Sequence, residues 1–238
     1  MISFLSPLPK TSTNCRQLHF ECIKMVLKFW GYCQSPFSKL VAVVLHEKNI
    51  PFDYTEVDLL KGEQKNPEFL SKQPYAQVPV IDDDGFVLYE SRAIIRYLAE
   101  KYADQGTSLV PKDVQKRALL DQAAWGEVFH FNQSAGAIMV ELLYKKWFNQ
   151  ETDVQKLEES TKALSAKLDI YEQILSKQRY LAGDELTLAD IQHLPYGTLL
   201  GEVNVNLIQE RPNVSRWFTE ISSRPSWQKV KDTLPGNA

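Results

Sequence analysis

The sequence predicts an α/β domain followed by an all-helical domain. Strand-like and helix-like runs alternate from Val26 to Tyr102, a turn-rich break falls at Asp104 to Pro111, and helical periodicity dominates the remainder. The 238 residues suffice for two modest domains, and 44% hydrophobic against 24% charged residues is the balance of a chain with a folded core.

Residues 1–24 carry Pro7, Pro9 and several Ser, Thr and Asn, so the fold is expected to begin at Met25, a second methionine before the run Val26 to Trp30. A disordered extension or an upstream start codon is the favoured reading of this leader. Its single acid, Glu21, against Lys10, Arg16 and Lys24 makes a weak targeting segment the alternative. Val26 to Trp30 then reads as a strand, Pro36 to about Lys48 as a helix and Phe52 to Val57 as a strand, with a short helical piece before Pro74. Gln77 to Val80 and Phe86 to Tyr89 flank the acidic turn Asp82-Asp83-Asp84-Gly85 as a hairpin, and a helix runs from Ser91 to about Tyr102. The order βαβ then ββα builds a four-stranded sheet whose first crossover is parallel and right-handed. The domains are placed at 25–103 and 113–230, with a linker at 104–112 and a tail at 231–238. In the helical half, Val154, Leu157, Thr161, Leu164, Leu168, Tyr171 and Leu175 recur at three- and four-residue steps along one face. Thr187-Leu188-Ala189-Asp190 has the spacing of a capping box and is read as structural, with Leu186 and Ile191 available to staple across the turn.

Composition excludes several function classes. Twenty-seven basic against thirty acidic residues give a net charge of -3, without a basic stripe, so no nucleic-acid partner is expected. No apolar run approaches the ~18 residues of a membrane span. Cys15, Cys22 and Cys33 show neither zinc-ligand nor CxxC spacing, which predicts no metal and a reducing compartment: cytoplasmic, or mitochondrial if residues 1–24 act as a targeting segment.

Three segments carry chemistry. Ser35-Pro36 reads as an N-cap and first helical residue; such a helix start also offers free N–H groups and partial positive charge to an anion, and a thiolate there would have its pKa lowered. Val78-Pro79 is an ordinary proline at a strand start, or, if cis, a device that turns the Val78 backbone outward to pair an extended peptide. Ser91, as the cap of the next helix, is suited to a carboxylate and Glu90 to an ammonium, while Lys65 and Gln64 are suited to a second carboxylate. Each also has a plain structural reading as a cap or a solvated side chain.

Taken together, Ser35-Pro36-Phe37-Ser38, Leu45 to Asn49, Gly62-Glu63-Gln64-Lys65, Pro74 to Pro79 and Glu90 to Ile94 resemble the cytosolic glutathione transferases, most closely the phi class and its fungal relatives. The resemblance continues through Tyr180 to Gly183, Thr187 to Asp190 and Arg211 to Val214, and covers about Val26 to Val230. It implies a thioredoxin-like N-terminal domain and an all-α C-terminal domain. It also implies conjugation of the glutathione thiolate to small hydrophobic electrophiles in detoxification, with peroxidase as a side activity. Glutathione is then the cosubstrate and no bound cofactor is needed. Residue by residue, it implies that Ser35 stabilises the thiolate, Gln77 and Val78 hold the peptide backbone, Glu90 and Ser91 the γ-glutamyl end, and Lys65 the glycyl carboxylate; Gln64 stands where phi enzymes often have histidine. Phe37, Phe129, Phe131 and Tyr144 are candidates for the electrophile pocket, and Tyr75 matches an aromatic that inserts into a partner subunit, which implies a homodimer. Two alternatives stand: a non-catalytic carrier of hydrophobic ligands, and a thiol transferase using Cys33. In the latter type the cysteine directly precedes Pro-Phe or Pro-Tyr, a slot that Ser35 fills here. Ser38 is the reserve hydroxyl if Ser35 points away.

Overall fold

In β1 (Leu27–Gly31) side chains alternate, with Leu27, Phe29 and Gly31 buried, as a strand covered by helices on its inner face requires. The computed structural model describes residues 26–234, so the expectations for residues 1–24 and for 235–238 lie outside the described residues. β1 pairs in parallel with β2 (Phe52–Glu56) and antiparallel with β3 (Val80–Asp83), which pairs antiparallel with β4 (Phe86–Tyr89). The order is β2-β1-β3-β4, with Phe29 opposite Tyr54 on one side and Ile81 on the other. The hairpin turns at Asp84 and Gly85, both with positive φ (57° and 85°), and Asp82 Oδ1 accepts the Gly85 N–H at 2.7 Å. β3 therefore starts at Val80, and Gln77-Val78-Pro79, expected within the strand, form a loop before it. Pro79 has no N–H to give a ladder, which accounts for the later start.

Between β1 and β2 runs α1 (Pro36–Glu47), whose stretch from Leu40 to Leu45 is buried almost without exposure. One face of α1 meets the sheet and α3 (Ser91–Lys101), and others meet helices of the C-terminal half, so one continuous core joins both halves of the chain. A smaller cluster of Val57, Phe69 and Val80, with Trp30, Val78 and Tyr89 against it, closes the opposite face beneath the short α2 (Pro67–Leu70).

No helix or strand occupies 104–112. A helical rod follows: α4 (Val114–Gly126), a π-helical turn at Glu127–Asn132, α5 (Gln133–Met139), a second π-helical turn at Val140–Tyr144, and α6 (Lys145–Trp147). Next come α7 (Val154–Leu175), α8 (Leu188–Ile191), α9 (Leu194–Glu202), α10 (Pro212–Ser222) and α11 (Pro225–Gln228). Along α7 only Leu164, Leu168, Tyr171 and Leu175 are buried; the expected stripe is solvated at its start, where Val154 projects beyond the packed bundle. The Thr187–Asp190 capping box is present. Asp190 also accepts from the Leu181 N–H and the Trp217 Nε1–H, both at 2.9 Å, so its fully buried carboxylate joins the start of α8 to α10. No described helix is long and apolar enough to cross a membrane.

The halves are clamped at the C-terminal end of α1. Glu47, buried, accepts from Arg224 Nε at 2.6 Å and Arg224 Nη2 at 2.7 Å, and from the hydroxyls of Ser226 and Thr107. The linker crosses the same spot, with the Thr107 N–H on Glu47 O at 2.8 Å and Gln105 Nε2 on Lys48 O at 2.7 Å. Gly106 makes the crossing possible: its φ is 60°, and a Cβ there would lie 2.2 Å from Glu47 O. Burial pushes the Glu47 carboxyl up, but the hydrogen bonds from Arg224, Ser226 and Thr107 more than offset this and hold it below the usual carboxylate range.

Arg224→Ala leaves Glu47 buried without its cation and is expected to cost about 3–5 kcal/mol in urea unfolding at neutral pH. The folded pKa of Glu47 is depressed, so the stabilisation is present above the unfolded carboxylate pKa and is lost as pH falls through the folded value. The gap between wild type and variant should therefore close in acid; a gap that stays constant down to about pH 3 would contradict the clamp.

Candidate active site

A cleft of about 220 Å³ is walled by Phe37 of α1, Gln73, the Gln77-Val78-Pro79 loop and the Glu90-Ser91-Arg92 junction. Of the three stretches expected to act together, Gln77-Val78-Pro79 and Glu90-Ser91-Arg92 line this cleft, and the first, Ser35 to Ser38, reaches it only through Phe37. Val78-Pro79 is a cis peptide bond, and Val78 lies outside the β3–β4 ladder. Two non-glycine residues beside this wall have positive φ: Ala76 at 55° and Glu90 at 68° with ψ 107°. Such backbone costs of order 1–3 kcal/mol each and persists only where packing over-determines it.

Ser35 is the N-cap of α1 with extended backbone, followed by Pro36 at the first helical position. Its Oγ accepts the Ser38 N–H at 3.2 Å, and its own N–H goes to Tyr32 O at 2.8 Å. Capping occupies only an acceptor lone pair, so the Ser35 hydroxyl proton remains free to donate at a helix N-terminus, two residues from the cleft wall at Phe37. Ser38 does not serve as a reserve: it is fully buried and its Oγ accepts the Tyr32 N–H at 3.1 Å. Cys33 gives its N–H to Glu56 Oε1 at 3.1 Å, and burial, reinforced by the Glu56 carboxylate, pushes its thiol up, the wrong direction for a nucleophile at neutral pH.

At α3 the expected cap is displaced by one residue. Glu90 occupies the N-cap position and Ser91 is the first helical residue, with no side-chain cap bond, because the positive φ at Glu90 turns the chain one residue earlier. Glu90 is exposed and Ser91 buried in the cleft wall. Gln64 and Lys65 lie on a 3₁₀ turn (Glu63–Lys65) away from that wall; Lys65 is exposed, and Gln64 Oε1 is buried with no hydrogen-bond partner.

Sequence reasoning missed Gln73, Arg92 and Tyr196. Gln73 is buried and its Oε1 accepts the Tyr75 N–H at 2.6 Å, which holds the loop ahead of Gln77. Arg92 forks onto the buried Glu127 of the helical half, Nε to Oε2 at 2.9 Å and Nη2 to Oε1 at 3.0 Å, with its guanidinium carbon 5.4 Å from the Phe37 ring centroid. Burial pushes the Glu127 carboxyl up to about 7, with Arg92 pulling against it. Arg92 stood inside the quoted Glu90-Ser91-Arg92 motif; its partner 35 residues away had no local signal.

The expected apolar wall is divided. Phe37 meets Tyr196 edge-on at 5.7 Å, and Tyr144 packs half-buried against the same core. Phe131 is instead a core residue, 1% exposed with its ring 4.7 Å from His193. Phe129 lies on the outer surface, 62% exposed and stacked on Trp125. Among the described residues no group of His, Cys, Asp or Glu is placed to hold a metal ion.

This is the architecture of a thioredoxin-like domain joined to an all-helical one. The family description "Glutathione S-transferase, N-terminal domain" matches residues 29–106, and "Glutathione S-transferase, C-terminal domain" matches 127–225. The chain is 42% identical to glutathione S-transferase F12 of Arabidopsis thaliana over 208 residues, 87% of this chain and 97% of that protein. Among solved structures it is similar to glutathione transferase F2 from Populus trichocarpa, with a TM-score of 0.83 at 42% identity over 86% of this chain and 96% of that one. It is also similar to glutathione S-transferase I from maize in complex with an atrazine glutathione conjugate, with a TM-score of 0.81 at 28% identity over 87% of this chain and 97% of that one. The chain belongs to the glutathione S-transferase family, and within it to the phi class.

Glu90→Gly is expected to stabilise the fold by about 1 kcal/mol, because glycine adopts this positive φ without a Cβ penalty and that relief exceeds its extra unfolded-state entropy. Chemical denaturation measures it; a loss of stability would show that the Glu90 side chain, and not its backbone, carries the junction.

Proposed function

We propose that this glutathione transferase joins the glutathione thiolate to small hydrophobic electrophiles, with Ser35 stabilising the thiolate and detoxification as the physiological role. The observation that carries the reading is the Ser35 hydroxyl proton, left free by capping at the N-terminus of α1. A thiol there ionises more readily because the hydroxyl donates to the thiolate and the helix end is positive. The thiolate pair then forms the new sulfur–carbon bond, while the electrophile's leaving group departs with its own pair or an activated double bond takes up the charge. Holding the two reactants in line contributes up to roughly 7–11 kcal/mol, against about 1.4 kcal/mol for each unit of thiol pKa lowered, so alignment dominates the rate gain.

The remaining assignments combine residues that line the cleft with Lys65 and Gln64 of the 3₁₀ turn, which lie outside its lining and are assigned from the family resemblance alone. Gln77 and the Val78 backbone bind the peptide portion as an added strand, Glu90 and Ser91 the γ-glutamyl end, and Lys65, with Gln64, the glycyl carboxylate. Phe37, in edge contact with Tyr196, and Tyr144 line the electrophile side. The glutathione conjugate held by the maize relative is the kind of product this division of labour would yield. The raised thiol of Cys33 weighs against a disulfide-exchange reaction. Tyr75, 67% exposed and in ring contact only with Tyr89 at 6.0 Å, is proposed as the residue that inserts into a second copy of the chain.

Ser35→Ala is expected to lower kcat/KM for chlorodinitrobenzene roughly ten- to hundredfold, the worth of one hydrogen bond to a charged group, and to shift the rate's pH profile to higher pH. Cys33→Ser should retain activity. Conjugation lost in Cys33→Ser and kept in Ser35→Ala would reverse the assignment. Tyr75→Asp should shift the sedimentation coefficient from dimer to monomer, and an unchanged wild-type-like coefficient would rule out the proposed contact.

A further inference from the structure

Lys39 stands one turn into α1, and its N–H donates to Ser35 O at 3.1 Å. Side chains on a helix lean toward its N-terminus, so a long one at Lys39 lies over the turn that Ser35 opens. The structure shows that lean. Lys39 lines a narrow recess with Gln34 and Pro36, the residues on either side of Ser35, together with Glu202 of α9, Trp227 of α11 and Lys231. Its Nζ donates to Lys231 O at 2.6 Å, so the segment after α11 holds the ammonium at the helix start from 192 positions away.

A cation at this end of a helix opposes the macrodipole, and burial pushes the Lys39 ammonium down from its ordinary pKa. The acids that face it do not cancel its charge. Asp232 is paired with Lys231 at 2.8 Å, Glu202 is exposed at the end of α9, and Glu56 of β2 accepts the Cys33 N–H. The field of Lys39 reaches a sulfur two residues before Ser35: burial and Glu56 push the Cys33 thiol up, and Lys39 pulls against them.

We propose that the half-buried Lys39 ammonium, set in place by the C-terminal segment, is a second source of positive charge at the α1 start and acts with the Ser35 hydroxyl on the glutathione thiolate. This rests on the reading of Ser35 given above. An ammonium acts through space and is weakly screened where water is partly excluded, so it needs no direct contact with the sulfur.

The test is the pH profile of kcat/KM for chlorodinitrobenzene at saturating glutathione, whose midpoint reports the bound thiol. Removing the cation destabilises the anion, so Lys39→Gln and Lys39→Met should move the midpoint up by about half a pH unit or more, or about threefold less thiolate below it. Lys39→Arg keeps the charge and should keep the midpoint. Loss of the bond to Lys231 alone would lower the rate alike at every pH. Lys39→Gln, which can still donate to a carbonyl, keeps the test valid if Lys39→Met fails to fold. A wild-type midpoint in Lys39→Gln, or an equal rise in Lys39→Arg, overturns the proposal whatever Ser35→Ala does. A midpoint shifted in Lys39→Gln and unshifted in Ser35→Ala supports the role of Lys39 and overturns the assignment of Ser35 alone.

Discussion

The buried carboxylate of Glu47 is the constraint on which the arrangement rests. It receives donors from the linker and from two residues 177 and 179 positions further along the chain. A buried carboxylate with several good donors is tolerated; one with any of them missing is not, because the remaining charge has no water to turn to. Glu47 thus makes the position of α1 conditional on the C-terminal helices being in place. The N-terminal end of the same helix carries Ser35, so the anchor and the residue proposed to stabilise the thiolate sit at opposite ends of one rigid element. Holding the far end fixes where the near end points.

At the near end the fold leaves backbone groups unspent. α1 presents a helix start whose cap uses only the acceptor side of a hydroxyl, and α3 starts with no side-chain cap. Val78 lies outside the ladder next to them. These groups, together with positive φ at Ala76 and Glu90, are the backbone donors and acceptors that the proposed peptide-like ligand would meet.

Much of the fold was legible because its signals are local. Asp84-Gly85 forces the hairpin, Ser35-Pro36 starts α1, and Thr187 to Asp190 reads as a capping box wherever it is met. The errors fall where a residue's role is decided by something distant. Ser91 has the chemistry of an N-cap, but the turn at Glu90 starts the helix one residue earlier and makes Ser91 its first residue. Phe129 and Phe131 look alike in sequence, and the π-helical turn through Glu127–Asn132 sends one to solvent and the other against His193. The Asp190 bond to Trp217 and the Glu47 bond to Arg224 join residues too far apart for any window of periodicity to connect. Gln73 was passed over because a buried glutamine that holds a loop N–H carries no pattern at all.

The same π-helical turn explains how the two halves of the cleft are kept in register. An α-helix continued straight through Glu127 would repeat its faces every 3.6 residues; the wider turn re-aims the side chains that follow. Glu127 then faces α3 and takes both arms of Arg92, whose guanidinium lies against Phe37, and the second π-helical turn ends at Tyr144, packed against the core. Arg92 lines the cleft at the start of α3 and Glu127 belongs to the helical half, so their fork ties the cleft wall to the helical domain.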